Sequence, residues 1–143
     1  MAEDTARSVS IERTGPTRYQ VTNVRGGTMS IGTGGTGDPD FTPVELLLAA
    51  IGGCTAVDVD LITSRRAEPL TFSVSVTGDK IRDADGNRME NLTVDFTVAF
   101  PEGAGGDAAR EALPVAIRKS HDRLCTVSRT VELGTPITSR LAP

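Results

Sequence analysis

The stretch that decides the fold is residues 42–59, which read TPVELLLAAIGGCTAVDV. Thr42 is a typical N-cap residue, Pro43 suits the first helical position, and Glu45 stands three residues after Thr42, where it completes a capping box. From Leu46 to Val57 nearly every side chain is apolar, which predicts burial on every side of a helix. The segment therefore indicates a central helix that begins at Thr42.

The predicted helix is long for so small a chain. Polar residues return at Asp58, and Pro69 limits the far end, so the helix runs for about 22 residues or about 33 Å. A monomer of 143 residues would struggle to surround an apolar helix of that length. We therefore expect a second subunit to help bury it.

Short strands are expected on both sides of the helix. Before it, three segments with strand-like composition lie at residues 8–12, 19–22 and 29–31. After it, residues 70–77 and 92–100 alternate strictly between apolar and polar, and turn residues at 83–87 join them into a β-hairpin with one buried face.

The C-terminal part predicts one more helix and one more strand. The helix runs from Asp107 or Leu113 to Arg123, with Pro114 as a kink or a fresh start, and Val127–Leu133 is expected to form a strand. With no linker and no internal repeat, residues 1–143 are predicted to form a single α+β domain.

Composition excludes several classes of function. Apolar residues make up 38% and charged residues 24%, which is typical of a globular protein. The net charge is −4, aromatics are 3% and no basic block is present, so a nucleic-acid surface is not expected. The glycine-rich segment 32–39 is not followed directly by a helix or a Lys, and therefore reads as a connection rather than a phosphate cradle.

Location follows from the N-terminus and the hydropathy. Acidic residues stand where a signal peptide needs bases. The apolar run from Leu46 to Val57 is shorter than the about 20 residues that span a bilayer. We therefore expect a cytoplasmic protein without a membrane partner.

The chain has two cysteines, Cys54 in the central helix and Cys125 near the single histidine, His121. A structural disulfide is not expected in a reducing compartment. Two cysteines alone do not make a zinc site, a third ligand from His121 would require all three to converge, and no Cys-x-x-Cys pair is present, so we expect no metal and no cofactor. The two thiols indicate either inert packing or dithiol redox chemistry.

The pattern of residues 42–59 resembles the central-helix signature of the OsmC/Ohr family, the osmotically inducible and organic-hydroperoxide-resistance proteins. Residues 120–128, SHDRLCTVS, resemble the second-cysteine motif of the same family. The resemblance implies an OsmC-like α+β fold in which curved antiparallel sheets surround a long buried helix. It also implies an intertwined homodimer.

The same resemblance implies a thiol peroxidase that reduces organic hydroperoxides, with Cys54 as the peroxidatic and Cys125 as the resolving thiol. A lipoylated protein or dihydrolipoamide would be the dithiol reductant. The chain departs from the hydroperoxide-resistance branch at two positions: Val44 stands where that branch has a glutamate, and Thr126 where it has a proline. It is therefore more similar to a less characterised OsmC-like branch.

A buried Cys54 needs a cation, because apolar burial raises the pKa of a thiol. Arg18, after the Gly15–Pro16 turn, is the first candidate by resemblance to the family's loop arginine, and Arg25 is the second. Glu45 is the candidate partner of that arginine, although the capping box already explains it. An apolar wall of the helix, formed by Leu47, Leu48 and Ile51, would favour an apolar peroxide.

Other hypotheses stay open at this point. Cys54 and Cys125 are packed thiols if the protein is instead a non-catalytic binder of apolar small molecules at a dimer-interface pocket. A Cys125–His121 dyad for acyl transfer requires a continuous helix that puts both residues on one face. Asp58 either anchors a basic side chain or marks where the helix reaches solvent, and the Gly52–Gly53 pair indicates close helix–helix contact or substrate access.

Overall fold

The computed structural model describes residues 4–143. They divide into two compact units at the Leu47–Leu48 bond. The N-terminal unit contains a three-stranded antiparallel sheet in the order β1-β2-β3, which confirms the three predicted strands. Its strands are β1 Val9–Gly15, β2 Arg18–Asn23 and β3 Thr28–Ile31.

The glycine-rich segment after β3 folds around the carboxylate of Asp38. Thr33 N–H donates to Asp38 Oδ2 at 3.3 Å, and Asp40 N–H donates to Asp38 Oδ1 at 3.0 Å. A side chain on Gly32 would collide with the same carboxylate. Because an acidic group occupies its centre, this loop is not suited to hold phosphate, and it acts as a connection as predicted.

Helix α1 spans Pro43–Thr63, 21 residues, and begins with the predicted capping box. Thr42 N–H donates to Glu45 Oε1 at 2.8 Å, and Glu45 N–H donates to Thr42 Oγ1 at 3.2 Å. These reciprocal bonds satisfy two of the amide groups that a helix start leaves unpaired.

Burial of α1 differs from the expectation of burial on every side. The buried residues follow one helical stripe: Ile51, Gly52, Thr55, Val59 and Thr63. A second stripe, which we call the exposed stripe, runs along another side: Ala49, Ala50, Gly53, Val57 and Leu61. The second stripe is exposed because the single chain packs against only one side of this helix.

Helix α1, at 21 residues, has close to the length expected from the sequence, and its apolar character extends beyond the central run. An 18-residue window of the helix has a mean hydropathy of 1.7, enough by length and composition to cross a membrane. The core helix of a soluble protein passes the same test. The single chain buries 28% of that window.

The predicted hairpin is confirmed and is longer than expected. Strands β4 Thr71–Asp83 and β5 Gly86–Ala99 pair antiparallel around a two-residue loop. Asp83 Oδ1 accepts from the N–H groups of Asp85 and Gly86 at 2.9 and 3.1 Å. One face of the hairpin is half-buried, and Phe72 and Phe96 contact edge to face there with centroids 6.2 Å apart.

Gly52 is where α1 packs against this hairpin. A Cβ at Gly52 would collide with Val76 Cγ2 and would lie 3.5 Å from Val74 Cγ1, whereas a Cβ at Gly53 would meet nothing within 4 Å. The close contact that requires Gly52 is therefore between helix and strand rather than between two helices. Gly53 belongs to the exposed stripe.

After the hairpin, α2 spans Ala104–Lys119, with Pro114 inside it. The helical turn then widens, since Ser120–Leu124 form a π-helical turn, and Cys125 is extended with φ −72° and ψ 101°. Helix α3 follows at Thr126–Glu132.

The predicted strand at Val127–Leu133 is wrong, because this segment is α3. Cys125 caps its start, with Sγ accepting from Ser128 N–H at 3.4 Å. Gly134, at φ 63°, ends it: its N–H donates to Val131 O at 3.1 Å, and Thr135 N–H donates to Thr130 O at 3.4 Å. This pair of bonds is a Schellman motif. A short segment with valines four apart fits a helix as well as a strand.

Candidate active site

The site is built around the two cysteines, which are far apart in sequence and close in space. Cys54 lies in the middle of α1, and Cys125 is the N-cap of α3. The Sγ atoms of both and a carboxylate oxygen of Asp58 all lie within 4.8 Å of one another. Both thiols are free; Cys54 is half-buried and Cys125 is fully buried.

The π-helical turn positions Cys125. Its backbone N–H donates to Ser120 O at 2.8 Å, which closes the wider π-type turn before the chain extends. The extended backbone at Cys125 then lets its side chain cap α3. A π turn is common at functional sites because it re-aims one residue within an otherwise helical run.

A buried chain of hydroxyls connects this turn to α1. Ser120 is fully buried, and its hydroxyl donates to Asp58 Oδ2 at 2.9 Å. Ser120 Oγ also lies 2.7 Å from Thr55 Oγ1, so the Thr55 hydroxyl donates to Ser120. Asp58 therefore neither marks a solvated helix end nor anchors a base: it holds the π turn against α1.

The sequence did not single out Ser120 or Thr55. The available signal was the spacing of Cys54 and Asp58, which are four residues apart and so share one face of α1. Nothing local connects that face with Ser120, because the contact is made only when the chain folds.

The pKa values of the two thiols are shifted in opposite directions, because their hydrogen-bond partners differ. For Cys54, burial raises the pKa, the nearby Cys125 and Asp58 raise it further, and the Val127 N–H offsets this only in part. For Cys125, burial also opposes ionisation, but the Ser128 hydroxyl, the Ser128 N–H and the Cys54 thiol together lower the pKa.

Ser128 adapts to either state of Cys125. Its Oγ lies 3.2 Å from Cys125 Sγ and accepts from the neutral thiol. A serine hydroxyl rotates freely, so it donates when the sulfur is a thiolate.

His121 does not contact Cys125. Its Nδ1 lies 2.9 Å from Asp122 Oδ1, and its Nε2 lies 2.9 Å from Glu132 Oε1. These two hydrogen bonds, to Asp122 first and then to Glu132, raise the pKa of His121 because the carboxylates accept from the protonated ring. The continuous helix that a Cys–His dyad requires is interrupted at the π turn, and the imidazole is exposed beside α3.

The other predicted site residues lie in the N-terminal unit. Arg18 Nη1 is 2.6 Å from Asp40 Oδ2, and Nη2 is 3.2 Å from Asp38 Oδ2. Glu45 is used by the capping box, and among residues 4–143 no salt bridge joins it to an arginine. The roles of Arg18 and Glu45 at Cys54 remain predictions, as does that of Arg25.

A cavity of about 380 Å³ lies in the C-terminal unit, and neither cysteine lines it. It is lined by Thr55, which follows Cys54 in the chain, and by Ser128, whose hydroxyl lies 3.2 Å from Cys125 Sγ. Of the predicted apolar wall, Ile51 takes part, and the polar lining includes Arg118, His121 and Glu132. Its other apolar lining comes from β5, α2 and α3: Leu92, Val94, Phe96, Ile117 and Val131.

Comparisons with known proteins agree with this architecture. The family model for OsmC-like proteins matches residues 35–140. An uncharacterized protein of Mycobacterium tuberculosis is 31% identical over 128 residues, which cover 89% of this chain and 90% of that protein.

Two solved structures share the fold. An OsmC-like protein of unknown function from Vibrio cholerae superposes with a TM-score of 0.73 at 13% identity, over 92% of this chain and 95% of that one. The organic hydroperoxide resistance protein OhrB of Bacillus subtilis superposes with a TM-score of 0.54 at 13% identity, over 86% and 90%.

The chain belongs to the OsmC/Ohr family. Its α+β architecture, with antiparallel sheets and a long apolar helix, is the OsmC-like fold that the resemblance implied. Within that fold α1 is the core helix rather than a membrane span.

Proposed function

We propose that the protein is a cysteine-based peroxidase that reduces organic hydroperoxides in defence against oxidative stress, in the cytoplasm. Membership of a family that includes organic hydroperoxide resistance proteins supports a peroxidase-type role. The observation that carries the proposal is the convergence of the two cysteines, whose Sγ atoms lie within 4.8 Å. This short distance is what disulfide formation between the two thiols requires, whereas inert packing does not require it.

In this proposal Cys54 is peroxidatic and Cys125 resolving. A peroxide reaches the half-buried Cys54 before the fully buried Cys125. The Cys54 thiolate attacks one peroxide oxygen, giving a sulfenic acid and releasing an alkoxide that takes up a proton. The Cys125 thiolate then attacks the Cys54 sulfur, forming the disulfide and releasing hydroxide, which leaves as water. A dithiol such as dihydrolipoamide, or a lipoylated protein, reduces the disulfide.

The first step needs help, because the pKa of Cys54 is raised by burial. Arg18 is the proposed cation, both for the thiolate and for the leaving oxygen. Its guanidinium already forms salt bridges with Asp38 and Asp40, which fix its position but partly neutralise its positive charge. Glu45 is its proposed partner in the reacting state.

The cavity lined by α1, β5, α2 and α3 favours an organic substrate. Its apolar residues suit an alkyl chain, and Thr55 and Ser128, which neighbour Cys54 in the chain and Cys125 Sγ in space, form part of its wall. Hydrogen peroxide has no alkyl group to contact these apolar residues, so the cavity does not favour its binding.

We further propose that the active protein is a homodimer built on α1. Val57 and Leu61, both on the exposed stripe, are 59% and 60% exposed in the single chain. A contiguous apolar stripe of this kind marks an interface. Val57→Glu should give a monomer in sedimentation velocity, whereas Asn87→Glu, a change at the exposed hairpin tip, should leave the dimer intact. A dimeric Val57→Glu variant would contradict this arrangement.

Turnover with dihydrolipoamide tests the enzyme. The expected result is a higher kcat/KM for tert-butyl hydroperoxide than for hydrogen peroxide, with no turnover in Cys54→Ser. Arg18→Gln should cost about 10²-fold in kcat/KM, the usual loss for one positioned donor, and Arg13→Gln is the matched control. Absence of peroxide consumption by the reduced wild type would refute the proposal.

Glu45→Gln separates the two roles of Glu45. Glutamine keeps the capping box but removes the charge that would pair with arginine. A loss of turnover with unchanged stability assigns Glu45 to the active site, and unchanged turnover leaves it as a helix cap only.

A second candidate function rests on the cavity alone: a non-catalytic binder of apolar small molecules. It predicts that Cys54→Ser binds an apolar fluorescent probe as tightly as the wild type and that neither form consumes peroxide. Peroxide consumption that depends on Cys54 would exclude it as the whole function.

A further inference from the structure

Asp58 has a feature that the peroxidase proposal does not use. Its carboxylate lies within 4.8 Å of both thiols, yet within the described range, residues 4–143, the one side chain that donates a hydrogen bond to it is the neutral hydroxyl of Ser120. Among residues 4–143 no arginine, lysine or histidine forms a salt bridge with it. Three groups that ionise to anions therefore face one another without a cation.

We propose that the reduced chain binds a thiophilic divalent cation, Zn²⁺ above all, through Cys54 Sγ, Cys125 Sγ and a carboxylate oxygen of Asp58. Thiolate and carboxylate are both established zinc ligands, and three protein ligands leave the fourth tetrahedral position to water or an added ligand. The inference does not depend on the peroxidase proposal.

The geometry needs only a small adjustment. Zn–S bonds of about 2.3 Å and Zn–O bonds of about 2.0–2.2 Å place two sulfurs and one oxygen about 3.5–3.8 Å apart in a tetrahedral site. The three ligand atoms already lie within 4.8 Å of one another, so side-chain movements of about 1 Å bring them into place. Cys54 and Asp58 are four residues apart on a rigid helix, the spacing by which other helices present two metal ligands.

Hydrogen bonds already orient two of the ligands. The Ser120 hydroxyl holds Asp58 Oδ2, which leaves Oδ1 available to a cation. The Ser128 hydroxyl lies 3.2 Å from Cys125 Sγ and can donate to its thiolate. Such outer contacts usually fix the direction of a ligand and strengthen metal binding.

The sequence alone does not show that Asp58 lies next to both cysteines. The metal site considered from the sequence combines the two cysteines with His121, but His121 is hydrogen-bonded to Asp122 and Glu132. In the structure Asp58, not His121, is the third potential ligand. Because the disulfide uses both sulfur ligands, metal binding and oxidation of the pair exclude each other, and binding to the neutral thiols releases two protons.

Anaerobic titration of the reduced full chain with Co²⁺, followed by displacement with Zn²⁺, tests the proposal. We expect one Co²⁺ per chain, with a thiolate-to-cobalt charge-transfer band and the intense visible bands of tetrahedral cobalt. Zn²⁺ should abolish both, and Cys54→Ser and Cys125→Ser should each lose the charge-transfer signal or most of it.

Asp58→Asn distinguishes the three-ligand site from adventitious thiol binding. It should weaken Co²⁺ binding by more than about tenfold, the smallest effect usual for losing even an outer partner of a ligand. Asp60→Asn, an exposed change on the same helix, should bind as the wild type does. Asp58→Asn with wild-type affinity, or a reduced wild type without tetrahedral cobalt bands, would overturn the proposal. Neither result bears on peroxide turnover, which is measured without metal.

Discussion

Replacing Ser120 with alanine should destabilise the protein by about 2–4 kcal/mol. Ser120 is fully buried and donates to the Asp58 carboxylate, and it accepts from Thr55, which is 6% exposed. A hydrogen bond to a charged group contributes about 1.5–3 kcal/mol, and a buried hydroxyl left without a partner costs about 1–3 kcal/mol. The sum is reduced because Asp58 is half-buried and water can replace part of the lost contact.

Urea unfolding measures this change. With a slope of about 2 kcal/mol/M, the expected loss moves the midpoint down by about 1–2 M while the slope stays constant. Ser73→Ala, on the exposed face of β4, is the matched control and should lie within about 0.5 kcal/mol of the wild type. Thr55→Val, which removes only the second hydrogen bond, should fall between the two. If Ser120→Ala were as stable as Ser73→Ala, the hydroxyl chain between the π turn and α1 would not exist in solution.

Three further predictions follow from particular contacts. Gly52→Ala should unfold at lower urea despite its better helix propensity, because its Cβ collides with Val76, and adding Val76→Ala should recover part of the loss; an additive double variant would argue against the contact. Gly134→Ala should cost about 1 kcal/mol by thermal unfolding, because φ is 63° there, and no loss would mean that α3 ends otherwise. The pKa of His121 is raised in the folded state, so its contribution to stability is complete below pH 6.5 and is lost as pH rises through the folded pKa. For so exposed a pair the contribution is under about 1 kcal/mol, and Glu132→Gln should reduce this pH dependence, whereas an unchanged profile would contradict it.

The elements that the sequence predicted well are those whose signals are local. The start of α1 depends on the bonds between Thr42 and Glu45, which lie three residues apart, and the hairpin depends on strict alternation and a turn. Both signals are read within one segment and need no knowledge of what packs against it.

The C-terminal segment could not be predicted in this way. Helix α3 begins at a cysteine, an unusual N-cap, and the π turn before it has no clear sequence signature. Gly134 was the overlooked signal, since a glycine just after a periodic segment is typical of a helix end.

The site was predicted in part. The two cysteines were identified from the chain, whereas the contact of Ser120 with Asp58 joins residues 62 positions apart and depends on tertiary packing. The expected proximity of His121 to Cys125 assumed a regular helix, and the change to a π turn removed it.

The most direct test of the account is the intact mass of the reduced protein before and after one equivalent of an alkyl hydroperoxide. We expect the wild type to lose two hydrogen atoms, with a peptide linked between Cys54 and Cys125, and Cys125→Ser to retain a sulfenic acid that a dimedone probe traps on Cys54. An unchanged mass in the wild type, or a trapped sulfenic acid on Cys125 in Cys54→Ser with none on Cys54 in Cys125→Ser, would contradict the proposed roles of the two thiols.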